Sequence, residues 1–207
     1  NQNMTFFLVN KNIIKNIKSV FNNCGISVDR IILKSFADGI NYLSKIQNNK
    51  NFTAITLEYK RINISLFKNK SYVFTQDFDF GIDLIIKDIS KLCSLKTEEV
   101  EVLLKEINLS SSLEKEEEPY LDRRFFLSSP YRKIKHKFIL DIMTARLDEI
   151  VEICYEKNTN LNYFRRSNNT IYIAIERFEY FTNIKNALQK NKLIKSEFVY
   201  GKAIENS

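Results

Sequence analysis

Ala54-Ile-Thr-Leu-Glu-Tyr-Lys60 runs directly into Arg61-Ile-Asn-Ile-Ser-Leu-Phe67, and both halves alternate apolar and polar side chains with period two. That alternation marks strands with one buried face. Asn69-Lys70 then turns the chain into Ser71-Tyr-Val-Phe-Thr-Gln-Asp-Phe-Asp-Phe80, and Gly81 opens an amphipathic helix that ends at Cys93. Ile82, Ile85, Ile86 and Ile89 share its buried side. The stretch predicts a three-stranded meander followed by a helix. Its first turn, Thr56-Leu-Glu-Tyr-Lys-Arg61, contains no glycine.

Upstream, Met4–Val9 reads as a strand and Lys11–Asn23 as a helix with Ile13, Ile14, Ile17, Val20 and Phe21 on one face. Cys24-Gly25 stops that helix in a C-cap position. Val28–Leu33 reads as the next strand and Ala37–Ile46 as a second helix, giving a parallel crossover unit. Joined to the antiparallel meander, this unit predicts a mixed sheet. Downstream, Thr97 is placed to cap a helix over Glu98–Ile107, with Glu98 and Glu99 complementing its N-terminus. Ser110–Pro119 is a polar, acidic loop. Arg123–Leu127 is expected as a short strand, and Tyr131 to about Lys157 as the longest helix, with Ile139, Ile142, Met143, Leu147, Ile150, Val151 and Cys154 in its apolar stripe. A polar loop over Asn158–Asn169 leads to a strand at Thr170–Ile175, a helix at Phe178–Lys190 and a last strand at Leu193–Tyr200.

The chain has 207 residues, 44% of them hydrophobic and 13% aromatic, enough for a packed core. The net charge of +7 is carried on a background rich in Lys, Asn and Ile, so a single Lys carries little functional weight. Cys24, Cys93 and Cys154 stand far apart, without a CxxC pair and with His136 as the sole histidine. That spacing excludes a zinc ribbon and argues against a disulfide framework; a reducing cytoplasm fits it. No stretch approaches the ~20 apolar residues of a spanning helix. Asn1 in place of an initiator Met suggests a fragment of a longer protein.

With that order of elements in place, the chain resembles the bacterial cell-division family FtsA, of the actin-like ATPase superfamily, over nearly its whole length. It is similar to the second half of those proteins, subdomains 2A and 2B. Phe21-Asn-Asn-Cys-Gly-Ile-Ser-Val-Asp-Arg30 resembles the family's "ERCGL-VD" crossover, and Ile31 to Leu43 its "LxPLASGLAVL" segment. Gly81-Ile-Asp-Leu-Ile-Ile-Lys-Asp88 is similar to "GGDHITNDI", Lys96 to Lys105 to "SxEEAExIK", and Tyr131 to Glu156 to "RxLxxIIxPRxxEIxELV". The resemblance implies an α/β fold: an actin-like (ribonuclease H-like) mixed sheet flanked by helices, with a smaller α+β subdomain inserted. Residues 1–107 and 170–207 would form the 2A-like part and 108–169 the 2B-like part.

The family's nucleotide turns are where the resemblance breaks. Its "DIGGGTTD" aligns with Thr56-Leu-Glu-Tyr-Lys-Arg-Ile-Asn63: Thr56 replaces the leading Asp, and Glu58, Tyr59 and Lys60 replace the three glycines. Those glycines let backbone N–H groups approach phosphate oxygens. Arg61 and Lys60 are cations without a loop to shape their approach. The family's "TGG" turn aligns with Ala174-Ile175-Glu176, and Ile82 replaces the second glycine of the Gly81 turn. Thr56, Glu58, Tyr59, Lys60, Arg61, Asn63, Gly81, Ile175 and Glu176 are therefore expected to form a degenerate nucleotide site. ATP and magnesium, the family's cofactors, are expected to be lost or weakly held, with no ATPase activity and no catalytic or metal-ligating residues.

For binding, Tyr131-Arg-Lys-Ile-Lys-His-Lys137 is the strongest local charge cluster. The resemblance gives it a role: in FtsA this region of 2B receives the acidic, apolar C-terminal peptide of FtsZ, the tubulin-like division protein. The family's basic positions match Arg132 and Arg146, and an acidic one matches Glu149. Arg146 and Glu149 lie one helical turn apart and can share a ligand or pair with each other. An arginine can hold a peptide carboxylate bidentately. Arg123-Arg124 and Arg165-Arg166, near Phe125, Tyr163 and Phe164, lie in no recognisable nucleic-acid motif, so no nucleic-acid partner is expected. The implied function is a scaffold linking FtsZ filaments to the inner membrane and recruiting divisome proteins, located in the cytoplasm at the membrane's inner face. Membrane contact would come only through segments outside this chain, and self-association into filaments is compatible with the family. The alternatives are a nucleotide-binding, polymerising actin-like ATPase and a PilM-like pilus assembly protein.

Overall fold

A computed structural model of the chain describes residues 6–45, 51–107, 119–161, 170–176 and 196–198. The meander forms as expected: β1 (Phe52–Leu57), β2 (Ile62–Lys68) and β3 (Ser71–Phe78) pair antiparallel in sequence order. Asn69 and Lys70 both take left-handed backbone conformations (φ 51° and 66°), the geometry of the two-residue hairpin turn that matches strand twist. β4 (Thr170–Ile175) lies parallel to β1 on its other side, and β5 (Ser196–Phe198) parallel to β4. The five-stranded mixed sheet therefore has the order β3-β2-β1-β4-β5.

Alternation along the strands sends side chains to two separate cores. Ile55, Leu57, Ile62, Ile64, Leu66, Ile171, Ile173 and Ile175 face the larger one. There they meet α3 (Asp83–Cys93), α4 (Thr97–Glu106) and α5 (His136–Val151), whose stripes include Ile85, Ile86, Ile89, Leu103, Ile139, Met143 and Leu147. Each such side chain contributes at most about 1.5–3 kcal/mol of burial. Leu121, Phe125 and Ile134 belong to the same core, so the stretch from Leu121 to Ile134 packs with the sheet's helices. On the opposite face Phe52, Ala54, Phe67, Tyr72, Tyr172 and Ala174 form a smaller, aromatic core beneath α2 (Lys34–Lys45), whose Phe36 packs against it.

Four expectations are corrected. Phe6–Val9 and Val28–Leu33 are not strands; no described strand lies beside either, so their apolar runs lack the ladder that makes a strand. The parallel crossover unit is thus absent among the described residues. Helix α1 (Lys11–Asn23) forms, with Asn10 capping it and Gly25 (φ 75°) just beyond its end, yet none of its residues is buried. Arg123–Phe125 is a turn of 3-10 helix capped by Asp122 rather than a strand. The long helix starts at His136, not Tyr131, because Tyr120 pairs with Lys135 and the Ile134 carbonyl accepts the Leu121 N–H. It ends at Val151 and continues as one π-helical turn, Glu152–Glu156. The loop over 110–118, the helix over 178–190 and Arg165-Arg166 lie outside the described residues.

Candidate functional site: the cleft over the first turn and the α3–α5 surface

Leu57 is the last residue of β1 and pairs with Ile62, so Glu58–Arg61 closes the hairpin as a four-residue loop, with the Glu58 N–H donating to the Arg61 carbonyl at 2.8 Å. The loop presses against the start of α3. A β-carbon on Gly81 would lie 2.3 Å from the Glu58 carbonyl oxygen and 2.7 Å from both the Tyr59 carbonyl oxygen and the Arg61 nitrogen. Those neighbours are backbone and cannot rotate aside, which is why glycine stands there. The contact brings hydrogen bonds: the Ile82 N–H donates to the Glu58 carbonyl (3.0 Å) and the Asp83 N–H to the Tyr59 carbonyl (2.9 Å). Donors at a helix start that could have met an anion are thus used by the loop itself.

Further groups of the loop are engaged as well. The Tyr59 N–H donates to the Glu176 carboxylate at 2.8 Å, just past β4, while the Glu176 N–H extends the β1–β4 pairing to the Leu57 carbonyl. The Tyr59 hydroxyl donates to Glu101 on α4. Lys34, at the start of α2, pairs with the Glu58 carboxylate. Burial works against the Lys34 ammonium, but Glu58, Asp38 and Glu176 together hold its pKa above the ordinary lysine value. Asp38 is pushed up, mainly by burial, with Glu58 adding repulsion and Lys34 opposing both.

Between α2 and this end of the sheet lies an open cavity of about 230 Å³, lined by Lys34, Asp38, Thr56, Glu58, Arg61 and Asn63 among others. Asn63 is locked by donating to Thr75 and Asp77 and accepting from Ser65. Of the charged groups on the cavity wall, Lys34 and Arg61 are outnumbered by Asp38, Glu58 and Asp77. The structure thus gathers Thr56, Glu58, Tyr59, Arg61, Asn63, Gly81 and Glu176 at one end of the sheet. Ile175 is buried in the larger core, Ile82 likewise, and Lys60 stands exposed at the loop. Among the described residues no group of three or more His, Cys, Asp or Glu could hold a metal ion. Burial pushes the Cys93 and Cys154 thiols up to about 11 and about 12, which makes them poor nucleophiles.

The second surface lies where α3 meets α5. Arg132 precedes α5 and donates to the Ser94 hydroxyl at 2.9 Å. Ser94 is the left-handed C-cap of α3, so the guanidinium sits at the negative end of that helix. Arg146 is held by Asp88 of α3 and by Glu149 one turn along α5. The hydrogen bond that Arg146 donates to Asp88, against some loss of solvation, raises the Arg146 pKa further. Arg132 and Arg146 therefore flank the same seam, but Arg146 is already saturated by two carboxylates.

Glu99, read from the sequence only as a charge complementing the start of α4, has a wider structural role. Glu99, 2% exposed, accepts from the Lys96 N–H (2.9 Å), the Ser128 N–H (2.6 Å), the Ser129 N–H (3.0 Å) and the Ser129 hydroxyl (2.5 Å). Burial alone would push its carboxyl up; these donors outweigh it and bring the pKa down to about 2. The cap residue of α4 is thus Lys96, not Thr97, and Glu99 closes it while fastening the Ser128-Ser129 turn that precedes Arg132. Its position in the first helical turn was visible; its partners some 30 residues on were not.

No protein-family model and no curated protein sequence matches the chain. Solved structures do. The chain is similar to MreB5 of Spiroplasma citri bound to AMPPNP, at 13% identity and TM-score 0.61, over 92% of this chain and 60% of that one. It is similar to the ethanolamine utilization protein EutJ from Carboxydothermus hydrogenoformans, at 11% identity and TM-score 0.55, over 93% and 57%. A third likeness is to a PilM–PilN type IV pilus biogenesis complex, at 12% identity and TM-score 0.54, over 90% and 47%. The chain spans about half to three-fifths of the length of these structures.

Proposed function

The chain has the actin-like ATPase fold, and from that premise we propose that it works as a docking scaffold of the FtsA type rather than as an enzyme. The observation that carries this reading is the loop Glu58–Arg61. Its carbonyls take the N–H groups of Ile82 and Asp83 at the start of α3, and its own Tyr59 N–H is taken by Glu176, so these backbone donors are already bonded. The acidic balance of the adjoining cavity wall supports the same conclusion. Titration calorimetry with ATP and magnesium tests it: no heat of binding is expected at micromolar concentrations, and a micromolar dissociation constant would overturn it.

The working surface in this reading is the α3–α5 seam, and its partner the acidic C-terminal peptide of FtsZ. Arg132 supplies the cation, since its neutral partner Ser94 is exchangeable at little cost, whereas Arg146 would have to leave Asp88 and Glu149. A salt-sensitive interaction in the micromolar range is expected. Amide spectra of residues 131–149 with that peptide test it; no shift at millimolar peptide, or an unchanged response in Arg132→Glu, would sink the docking assignment.

Two further readings are each favoured by one observation. The likeness to MreB5 with AMPPNP bound favours a nucleotide-binding, filament-forming protein. The likeness to a PilM–PilN complex favours a scaffold for a different peptide. The calorimetric result discriminates the first, and the peptide titration the second.

A further inference from the structure

Between α4 and α5 the chain makes a braced excursion that presents apolar groups and cations together. Phe125 (4% exposed), Leu121 and Ile134 anchor it in the larger core, and the buried Glu99 carboxylate fixes Ser128 and Ser129. Between these anchors Leu127 stands 73% exposed, more than most large apolar side chains in the molecule. Beside it, Phe126 packs edge-on to Tyr131 (ring centroids 5.2 Å), and the Arg123 guanidinium lies 4.8 Å over the Tyr131 ring. Arg132 and Lys133 follow directly, both exposed. Among the described residues none of Arg123, Arg132 and Lys133 is paired with a carboxylate.

We infer that this excursion is a docking surface for an anionic lipid bilayer, with Leu127 entering the headgroup layer and Arg123, Arg132 and Lys133 meeting lipid phosphates. Charge complementarity and shape both favour this occupant. A peptide seeks a groove or a free strand edge. A projecting leucine on a fixed turn, beside an amphipathic tyrosine and several cations that pair with no carboxylate among the described residues, is instead suited to an interface where one end is apolar and the other wet. Each juxtamembrane cation adds to the attraction within about a Debye length of the surface. Because Glu99 and Phe125 already hold the turn, docking orders little new backbone. The inference shares Arg132 with the FtsZ-peptide reading but rests also on Arg123 and Leu127, which that reading does not use, so variants at those two positions separate them.

Sedimentation of the full chain with vesicles tests it. Vesicles rich in phosphatidylglycerol should carry the protein down at low salt and release it as salt rises, while pure phosphatidylcholine vesicles should not. Leu127→Glu should abolish co-sedimentation, and Arg123→Glu should weaken it about tenfold or more. Both positions are exposed, and unchanged thermal melting would establish that the variants fold. Equal recovery with both vesicle types, no recovery with phosphatidylglycerol, or parent-like binding by folded Leu127→Glu would overturn the inference. So would amide shifts around Leu127 with poly-glutamate but none with phosphatidylglycerol vesicles, which would assign the surface to an acidic peptide.

Discussion

The Glu176 carboxylate accepts the Tyr59 N–H at 2.8 Å, joining residues 117 positions apart across the ends of β1 and β4. A side-chain anion here occupies a backbone donor of the loop between β1 and β2. Glu176→Ala should free that N–H and lower the urea midpoint by the equivalent of about 1–2 kcal/mol, the lower part of the range for charged hydrogen bonds because the site is open to water. Glu176→Gln keeps an acceptor and should lose less. Equal stability of all three proteins would remove the bond from any structural role.

Gly81 and Gly25 offer a paired test of backbone crowding. Gly81→Ala drives a β-carbon into the Glu58 carbonyl and should cost about 2–3 kcal/mol or prevent folding. Gly25→Ala meets nothing within 4 Å and should cost only the strain of its left-handed backbone, about 1 kcal/mol. Thermal unfolding of the two variants should rank them in that order.

Glu99 sets a prediction about acid. Its folded-state pKa, about 2, lies below the ordinary 4.5, so its contribution is fully present above about 4.5 and is lost as pH falls toward 2. Chemical denaturation across that window should show stability dropping, and Glu99→Gln should flatten this part of the profile while lowering stability near neutrality. The same variant should loosen Ser128-Ser129, visible as faster amide exchange there.

The ion pairs of Arg146 predict an asymmetry between the two arginines of the seam. A double-mutant cycle of Arg146→Ala with Asp88→Asn should return a coupling of about 1 kcal/mol or less, since both groups are about a quarter exposed. In peptide titrations, Arg132→Ala should weaken binding more than Arg146→Ala. The reverse order would mean that Arg146 exchanges Asp88 for the peptide.

What could be read from the sequence followed the range of the interactions. Period-two alternation located β1, β2, β3 and β4, and the Asn69-Lys70 dipeptide located their tightest turn, because strand faces and hairpins are local patterns. Gly81 ahead of an amphipathic helix was likewise a local signal, and α3 follows it at Asp83. Phe6–Val9 and Val28–Leu33 misled because an apolar run specifies a buried strand only where a neighbour supplies the ladder. The start of α5 was misplaced because Ile134 continues the helical stripe, while its carbonyl is committed to Leu121 through a long-range pairing. The partners of Glu99 and of Glu176 depend on the same long-range closure, which no spacing rule could reveal.

The close seating of Gly81 on the first loop bears on how such a fold could change. Glycines at 58–60 would not by themselves build an anion cradle, because the Ile82 and Asp83 N–H groups would stay bonded to the loop's carbonyls. Glu176 and the Lys34–Glu58 pair would also have to give way, and each single step removes a bond before any phosphate can replace it. An anion cradle at this loop would therefore need several substitutions together, because each one alone removes a bond that holds the loop in place.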